Sequence, residues 1–543
     1  MNNENIPNFA YEQIGYVTYE SSPREIIGTV KIEVNKRSPV QLGEYLLVET
    51  LNSKGKKSYS LAIVKDVRVE NPMLSYLENP ENIERAQNVM PLSEDYKLKV
   101  ILSLIGTYDE ENKTLLTQTI PPLPGSKIFR PASNFLEKIF SKGKVEFGSL
   151  KANPDVKVKV SLNKLITRHM AVLSITGGGK SNFVAVFIRN LFKNYDPSIV
   201  IIDPHNEYFE LTEHPLIGNS VKIFSPVSTS MPGVHSFFMK ASWFSEEEWF
   251  NMLGIASHAR NQRALFSKIL TTLNKEKPER WGIEDLIRKL EEIQYEKDTA
   301  NNREEKINAQ KIISMLNRLP EKDFITSNTI TPLSEGSEAL VKKGQITIIG
   351  TGLLPERTKK ALVGIILDRI FRAAVRWKRG LEGDEKINSP VFVIVEEAHN
   401  FAPNEIKNDK SLSILKKIGA EGRKFGVGMC VISQRPGKLN SDVLSQCNTL
   451  VTLKIVNPHD QNHIKQSSER ISDELLEFLP SLNIGEAIVF GPSLEIPALI
   501  RIDKFDTGLG GEDVDVERLW SKTDNNNEEE LVEFLETEDI DLG

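Results

Sequence analysis

An apolar strand, a glycine-rich turn and a helix follow one another between residues 170 and 192, and no other feature constrains the fold as strongly. The run MAVL precedes SITGGGKS (174–181), and SNFVAVFIRN continues with helical periodicity. Three glycines leave main-chain amides free to surround a phosphate chain, Lys180 would hold the β and γ phosphates, and the Ser181 hydroxyl would bind Mg²⁺. Ser174 replaces the first glycine of G-x-x-x-x-G-K-S. A chance glycine turn is the alternative.

A second apolar strand, Val391 to Val395, ends in Glu396 and Glu397. Open α/β sheets bind their ligands at the carboxyl ends of the strands. Glu396 therefore fits the metal-side acid of a Walker B strand, and Glu397 fits the base that orients or deprotonates the attacking water. The alternative is a strand end whose acids are merely solvated.

Polar residues also follow the strand SIVIIDP, in the segment Asp203 to Tyr208. Asp203 and Glu207 would position water or metal near the γ phosphate, and His205 would contact the neighbouring loop. A plain strand-to-helix turn remains the other interpretation.

A predicted helix from about Lys410 to Lys424 carries Arg423 at its end, and the strand VGMCVIS then leads to Gln434. Gln434 lies beside the Walker B strand, where it can sense the γ phosphate. Arg423, at the opposite end of its helix, would reach the nucleotide of the next subunit in a ring as an arginine finger. The alternative for Arg423 is a solvated helix terminus that interacts with its own helix dipole.

Uniformly apolar strands joined by helices from about residue 156 predict an α/β domain with a parallel sheet covered on both faces. Residues from about 237 to 320 have helical periodicity and no strand-like run, which indicates a helical insertion. Up to residue 150, short alternating strands predict a small antiparallel β-barrel. The segment PPLPGSKIF (121–129) is predicted to be a rigid connector, because proline cannot donate to a sheet. A chain of 543 residues is long enough for two to four such units.

The net charge of −7 hides a strong asymmetry along the chain. Residues 511–543 contain 13 acidic and two basic side chains, so this tail carries −11 and residues 1–510 carry +4. A nucleic-acid partner is therefore compatible with the body of the chain. The tail is expected to be either disordered and solvated, or a DNA-mimicking or partner-docking segment.

Two cysteines, Cys430 and Cys447, lie in apolar or strand-like stretches and lack the spacing of a metal site. This usage fits a reducing, cytoplasmic environment. The N-terminal residues do not resemble a secretion signal, and no apolar run reaches the roughly 18 residues of a membrane span. We expect no membrane association.

The whole set of motifs resembles the HerA family of hexameric DNA translocases, in the FtsK/HerA branch of RecA-like P-loop ATPases. The shared segments are IGYV near the N-terminus, RH ahead of the glycine loop, TGGGKSN, DPHNEY, VEEAH, EGRKFGVG, SQRP, and GEA and PA near the C-terminus. The resemblance implies a RecA-like core over residues 151–510, which follows a barrel similar to the HAS barrel over residues 1–150. That barrel would mediate ring assembly and nuclease docking.

The resemblance also implies roles for individual residues. The expected catalytic residues are Lys180, Glu396, Glu397, Arg423, Gln434 and Asp203, and Ser181 with Glu396 would hold Mg²⁺. The expected ATP-binding residues are Thr176, Gly177, Gly178, Gly179, Lys180, Ser181, Asn182, Arg168 and Arg501. Ala420 stands where relatives can carry a further arginine, so a second basic contact is expected to be absent.

The function implied is that of a homohexameric, ATP-driven translocase or helicase that threads double-stranded DNA without sequence specificity. It would act with a NurA-like nuclease in end resection and double-strand-break repair. Two alternatives stay open, namely the motor of an anti-phage defence complex with another nuclease or effector, and an ATP-dependent ring scaffold that activates a nuclease without moving on DNA.

Overall fold

The computed structural model describes residues 9–509. Within that range it leaves out residues 23–24, 31–39, 52–54, 56, 71–78, 80, 82–96, 110–113, 118–119, 228–230, 296–302, 320–321, 323, 384, 386, 405–409, 468–472 and 495. The acidic tail predicted at 511–543 lies outside the described residues. No helix in the described part of the chain is both long and apolar enough to span a bilayer.

The N-terminal part of the chain forms one antiparallel sheet of seven strands in the order β2-β1-β7-β3-β4-β5-β6. An additional β2–β5 pairing joins the two sides of this sheet, so that β1–β5 and β7 each have a neighbour on both edges. Alternate side chains, such as Ile14, Val48 and Val100, fill a small core of its own. The strands are β1 (Ala10–Ser21), β2 (Glu25–Val30), β3 (Tyr45–Leu51), β4 (Lys57–Glu70), β5 (Lys97–Asp109), β6 (Thr114–Leu116) and β7 (Lys127–Pro131).

The connector predicted at residues 121–129 is wrong for its last three residues. Residues 127–131 form β7, which lies between β1 and β3 in the middle of the sheet. The prolines of this segment end at Pro124, and the turn at Gly125 (φ 89°) precedes the strand. Lys127, Ile128 and Phe129 keep their main-chain donors, so the prolines limit where the strand begins and do not prevent it.

The second sheet has twelve strands in the order β13-β12-β16-β11-β17-β18-β10-β19-β20-β21-β8-β9. The strands from β13 to β19 in that order are parallel, as predicted, and the last four pair antiparallel. The strands are β8 (Val145–Leu150), β9 (Lys157–Val160), β10 (Met170–Leu173), β11 (Ser198–Asp203), β12 (Val221–Ser225), β13 (Val234–Ser236), β16 (Gln345–Gly350), β17 (Val391–Val395), β18 (Val427–Ser433), β19 (Thr449–Thr452), β20 (Glu486–Phe490) and β21 (Ala498–Arg501).

The second sheet begins earlier than the boundary predicted at residue 150. β8 pairs with β21 and β9, so Val145–Leu150 belongs to the larger sheet. The helix before it, α1 (Ser133–Phe140), buries Phe135, Leu136, Ile139 and Phe140 in the same hydrophobic core as β8. A strand with alternating apolar and polar residues has the same pattern in either sheet. The pattern of β8 alone therefore does not show which sheet it joins.

Helices cover both faces of the parallel strands. Along β11, Val200 and Ile202 enter one core and Ile199 and Ile201 enter the other, so both faces of the strand are buried. The helices of this domain outside the insertion are α2 (Leu162–Arg168), α3 (Lys180–Phe192), α8 (Glu356–Arg379), α9 (Ala398–Phe401), α10 (Lys410–Phe425), α11 (Ser441–Gln446), α12 (Pro458–Ser467) and α13 (Asp473–Phe478).

The predicted insertion is helical in the structure. Its described helices are α4 (Glu246–Leu253), α5 (Arg260–Glu276), α6 (Ile283–Gln294) and α7 (Arg303–Asn317). They pack around buried Trp249, Phe266 and Trp281 and continue the core under α8. Two-residue strands, β14 (Met239–Lys240) and β15 (Ile325–Thr326), pair at the two ends of the insertion and bring them together.

Candidate active site

Four neighbouring strands end at the same edge of the large sheet, and their carboxyl ends carry the predicted site. In sheet order they are β11, β17, β18 and β10, all parallel. Asp203 ends β11, Glu396 follows β17, Gln434 follows β18 and the glycine-rich loop follows β10. The topology therefore brings together segments that are more than 200 residues apart in sequence.

The glycine-rich loop has main-chain geometry that side chains would disturb. Gly177 and Gly179 have φ values of 69° and 96°, which favour glycine. A Cβ atom at Gly178 would lie 1.9 Å from the Ser174 Oγ atom, so this position admits no side chain without rearrangement. Ser174 itself is buried, and a small residue fits there.

Lys180 and Ser181 begin α3, directly after the loop. The Lys180 side chain is buried, and its positive charge acts on both Glu396 and Glu397. The Ser181 hydroxyl donates a hydrogen bond to the Glu207 carboxylate. A cation and a hydroxyl are thus held next to three carboxylates at the start of a helix, where the helix dipole also favours anions.

Asp203 shapes the segment that follows β11. Its carboxylate accepts hydrogen bonds from the main-chain N–H groups of His205, Glu207 and Tyr208, at 3.2, 3.2 and 3.0 Å. Burial raises the pKa of Asp203 to about 6, although these N–H groups act in the opposite direction. Asp203 was predicted as catalytic, and the structure assigns its oxygen atoms to holding Glu207 and Tyr208 in place.

Glu396 is fully buried, and only one of its two carboxylate oxygens has a hydrogen-bond partner among the described residues. Its Oε2 atom accepts a hydrogen bond from the Tyr208 hydroxyl at 3.0 Å, whereas its Oε1 atom has no hydrogen-bond partner among the described residues. Burial raises the pKa of Glu396 well above its usual range, Glu207 adds to the rise, and Lys180 opposes it. An unpartnered buried carboxylate oxygen is costly unless a cation or a proton meets it.

Glu397 has a left-handed main-chain conformation, with a φ of 48°. Such a conformation is uncommon for a residue other than glycine, and it turns the chain sharply after β17. Its Oε2 atom lies 3.1 Å from the His399 Nδ1 atom. Burial acts to raise the pKa of Glu397, but His399 and then Lys180 outweigh it and the net shift is downward. Glu397 is therefore held as a carboxylate.

Gln434 contacts the phosphate-binding loop directly. Its Oε1 atom accepts a hydrogen bond from the Thr176 hydroxyl at 2.6 Å. The main-chain N–H of Ser174 also donates to the Ser433 carbonyl at 3.3 Å. The end of β18 and the loop after β10 are thereby joined by two hydrogen bonds.

Arg168 and Arg423 lie at the opposite edge of the sheet from this site. Arg168 ends α2 just before β10 begins, and Arg423 is in the last turn of α10 just before β18 begins; both are exposed. The seven residues of β18 separate Arg423 from Gln434 by about 20 Å. Neither arginine can reach the phosphate-binding loop of its own chain.

Asn182 and Arg501 lie beside the loop, but Asn182 is already engaged. The Asn182 Nδ2 atom donates to the Asp503 carbonyl at 3.0 Å, and the Phe505 N–H donates to the Asn182 Oδ1 atom at 2.8 Å. We call residues 502–506 the C-terminal strap. Arg501, exposed at the end of β21, precedes the strap and pairs in register with Glu486, next to the Gly485 that approaches Gly179.

Glu207, Tyr208 and His399 complete the site. The sequence pattern left the role of Glu207 open between catalysis and a plain turn, and it indicated no role for Tyr208 or His399, although all three fall inside the segments DPHNEY and VEEAH. Their positions in the sequence could have indicated a role at the site. Tyr208 follows Asp203 by five residues in the same turn, and His399 follows Glu397 by two.

The residues present fit a magnesium–nucleotide complex. The loop would surround phosphates with main-chain amides, Lys180 would neutralise them, and Ser181 with the unpartnered Oε1 atom of Glu396 would meet the metal ion. Two protein ligands suit Mg²⁺, which usually takes one or two from the protein and completes its shell with phosphates and water.

The chain is similar to several known proteins along most of its length. The model of the HerA helicase central domain matches residues 145–370. A probable helicase of Methanocaldococcus jannaschii is 32% identical over 98% of this chain and 97% of its own length. The DNA double-strand break repair helicase HerA of Pyrococcus furiosus is 29% identical, with 95% and 98% covered.

Among solved structures, VirB4 of Thermoanaerobacter pseudethanolicus is similar over 68% of this chain and 98% of its own, with 14% identity and a TM-score of 0.47. A further M. jannaschii relative, a probable DNA double-strand break repair helicase HerA, is 32% identical over 78% of this chain and 89% of its own. With this identity over most of both chains, and with the matching central-domain model, the chain belongs to the HerA family of helicases.

Proposed function

We propose that this protein is an ATP-driven translocase that moves along double-stranded DNA without reading its sequence. Membership of a helicase family makes the chain an ATP-hydrolysing enzyme. The observation that carries the proposal is the convergence of Lys180, Ser181, Glu396, Glu397 and Gln434 at one edge of the sheet. A cation, a hydroxyl, a buried acid, an ionised acid and a sensing amide are the parts that phosphoryl transfer to water requires.

Each side chain has a role in that reaction. Lys180 binds the β and γ phosphates, and Ser181 and Glu396 hold Mg²⁺, which when bound neutralises charge on the phosphates. Glu397, kept ionised by His399 and Lys180, orients the attacking water and accepts its proton. Gln434 reports the γ phosphate through its hydrogen bond to Thr176.

Arg423 acts on the neighbouring subunit, and the working form is a homohexameric ring. Its exposed position at the edge opposite its own site supports this, because it is then free to reach the site of an adjacent copy. Arg168 lies at the same edge and would accompany it. Arginine supplied in trans stabilises the charge of the transition state and makes hydrolysis depend on assembly.

The partners are double-stranded DNA and a nuclease of the NurA type, and the process is end resection in double-strand-break repair. Relatives named as DNA double-strand break repair helicases support this assignment. The N-terminal sheet would serve ring assembly and nuclease docking. The buried free cysteines Cys430 and Cys447 support a reducing, cytoplasmic location.

The test is ATP hydrolysis by the purified full chain with and without linear duplex DNA. We expect DNA to stimulate hydrolysis and the protein to displace a bound streptavidin or an annealed strand. Lys180→Ala should abolish both, because the phosphates lose their buried cation. Lys193→Ala, an exposed lysine just after α3, is the matched control and should behave as the original chain does.

A co-purified nuclease separates the motor from a scaffold. If Lys180→Ala rings lose translocation yet activate the nuclease fully, the chain is an ATP-dependent scaffold and the translocase proposal fails. If neither DNA nor the nuclease changes the rate of hydrolysis in the original chain, the assignment to DNA processing fails.

A further inference from the structure

A cation-lined cavity lies directly beside the ATPase site. It has a volume of about 860 Å³ and is bounded by segments that follow β17, β18 and β19 and by the start of α8. Lys360, Arg435 and Lys438 are among the residues that line it. Among the described residues these three cations form no ion pair with a carboxylate, and Arg435 and Lys438 are exposed. Three cations and one carboxylate, that of Asp460, therefore give the described lining a net positive charge.

The rest of the lining suits an anion with many acceptor oxygens. Asp460 is the only acidic side chain among the described lining residues, and its Oδ1 atom already accepts a hydrogen bond from the Gly437 N–H at 2.8 Å. Asn400 and Asn457 add amide groups that can donate, whereas the Asn404 amide already donates to the Gly437 carbonyl at 3.4 Å. The aromatic rings of the described lining are those of His399, His459 and His463. Basic side chains and amide donors bind the phosphate backbone, which carries no sequence information.

The cavity is connected to Glu397 by a short chain of polar contacts. The Arg435 main-chain N–H donates to the Ser433 Oγ atom at 3.0 Å, and this Oγ atom lies 3.2 Å from the His399 Nδ1 atom. The same Nδ1 atom lies 3.1 Å from the Glu397 Oε2 atom, which has no partner of hydrogen-bond geometry among the described residues. One ring nitrogen thus faces two oxygens, those of Ser433 and Glu397.

We propose that this cavity holds the phosphodiester backbone of DNA, and that its occupancy is transmitted to Glu397 through Ser433 and His399. The inference rests on the proposed ATP-driven action on DNA and adds to it a binding site and a route of coupling. A phosphate bound by the Arg435 and Lys438 side chains fixes the turn at residues 435–438. The Arg435 N–H then fixes Ser433, and His399 is left to orient Glu397.

The first test measures the affinity for a fluorescent duplex of mixed sequence over a series of salt concentrations. A cationic side chain that binds a DNA phosphate displaces counterions from the DNA. Each side chain that stops binding a phosphate therefore reduces the steepness of the plot of log K against log salt by about 0.9. We expect Arg435→Ala/Lys438→Ala to lower both the affinity and this slope. Arg435→Lys/Lys438→Arg, which keeps the charge, should restore the slope and shows that the turn still folds.

The matched control is Lys275→Ala/Lys311→Ala, which removes two exposed lysines from the helical insertion. This variant should keep the slope of the original chain. An unchanged slope in Arg435→Ala/Lys438→Ala would overturn the proposal. A synthetic peptide of residues 511–543 is the rival ligand, and a double variant that loses only this peptide while keeping its DNA slope would assign the cavity to an acidic protein segment instead.

The second test concerns the coupling and uses the ratio of ATP hydrolysis with DNA to that without DNA. His399→Ala should lower this ratio by about fivefold or more, the usual range of coupling between sites, while the DNA salt slope stays that of the original chain. His399→Asn, whose amide can replace the Nδ1 donor, should recover part of the ratio. If His399→Ala keeps the ratio of the original chain, the proposed coupling through Ser433 and His399 is refuted.

Failure here is distinguishable from failure of the proposed function. If the original chain hydrolyses ATP without any response to DNA, the proposed function fails. If the original chain responds to DNA and the Arg435 and Lys438 variant responds equally, only the cavity assignment fails.

Discussion

At the scale of single residues, His169 shows how the structure assigns a polar side chain to a structural task. It ends α2 with a φ of 54° and a ψ of 161°, a region almost reserved for glycine. Its Nδ1 atom accepts a hydrogen bond from the Met429 N–H at 3.1 Å, and its Nε2 atom lies 3.2 Å from the Gly419 carbonyl. The neutral ring thereby ties together α10 and β18, and a second proton on Nδ1 would face an N–H donor.

We therefore expect His169 to lower the free energy of unfolding in mild acid. Burial lowers its pKa to about 4. The unfolded chain takes up this proton near pH 6.5 and the folded chain only near pH 4, so stability is lost as pH falls through that window. Between pH 7.5 and pH 5 the loss is about 2 kcal/mol. Asp203, whose pKa is raised to about 6, acts with the opposite sign and gains stability as pH falls.

The measurement is the free energy of unfolding by urea, followed by tryptophan fluorescence at both pH values. His169→Gln keeps a donor and an acceptor but cannot titrate, so the contribution of Asp203 cancels in the comparison. On going from pH 7.5 to pH 5, the free energy of unfolding should fall by about 2 kcal/mol less in this variant than in the original chain. An equal pH dependence in both chains would contradict the assignment to His169.

At the scale of elements, the C-terminal strap is held against α3, the helix that begins with Lys180. Besides the two bonds from Asn182, the Arg189 guanidinium pairs with Asp506 at 2.7 Å, and Phe505 stacks on His214 with ring centres 4.9 Å apart. Asn182→Ala removes two hydrogen bonds and should lower the free energy of unfolding by about 2 kcal/mol. The strap should also be cleaved faster in limited proteolysis.

Asn194→Ala is the control, since it removes one exposed hydrogen bond just beyond the same helix. ATP affinity distinguishes this structural role from the contact with nucleotide that the sequence pattern predicted for Asn182. A variant that loses ATP affinity while its strap stays protected from protease would show that the direct contact matters more.

The elements also show what a sequence can and cannot reveal. The strand–loop–helix unit at 170–192 and the end of β17 were predictable because apolar periodicity, glycines and polar ends lie within one short window. The pairing of Asn182 with a segment more than 300 residues away, and of β8 with β21, depends on tertiary contacts that no local pattern encodes. Asp203 could be placed at the site from its strand, but only the backbone geometry shows that its carboxylate binds three N–H groups.

At the scale of the whole molecule, the site and its predicted finger lie at opposite edges of the sheet. If Arg423 acts in trans, subunits with Arg423→Ala and subunits with Lys180→Ala complement each other when mixed. In an equal random mixture about a quarter of the interfaces join an intact loop to an intact finger, so hydrolysis should recover to about that fraction. Each variant alone should be inactive, since no interface is complete.

Co-expression of the two variants with different affinity tags and tandem purification yields rings that contain both. Rings of each variant purified alone are the controls. Mixed rings without any activity would place Arg423 outside the neighbouring site and return it to the role of a solvated helix end.

If Arg423 acts in trans, the separation of Arg168 and Arg423 from the loop leaves each subunit with an unmatched half-site on either side. An open row of subunits then always carries one idle loop and one idle finger, and only closure removes both. Dilution to single subunits should then abolish hydrolysis before it unfolds any subunit, and the turnover per chain would measure the fraction of loops that face a finger.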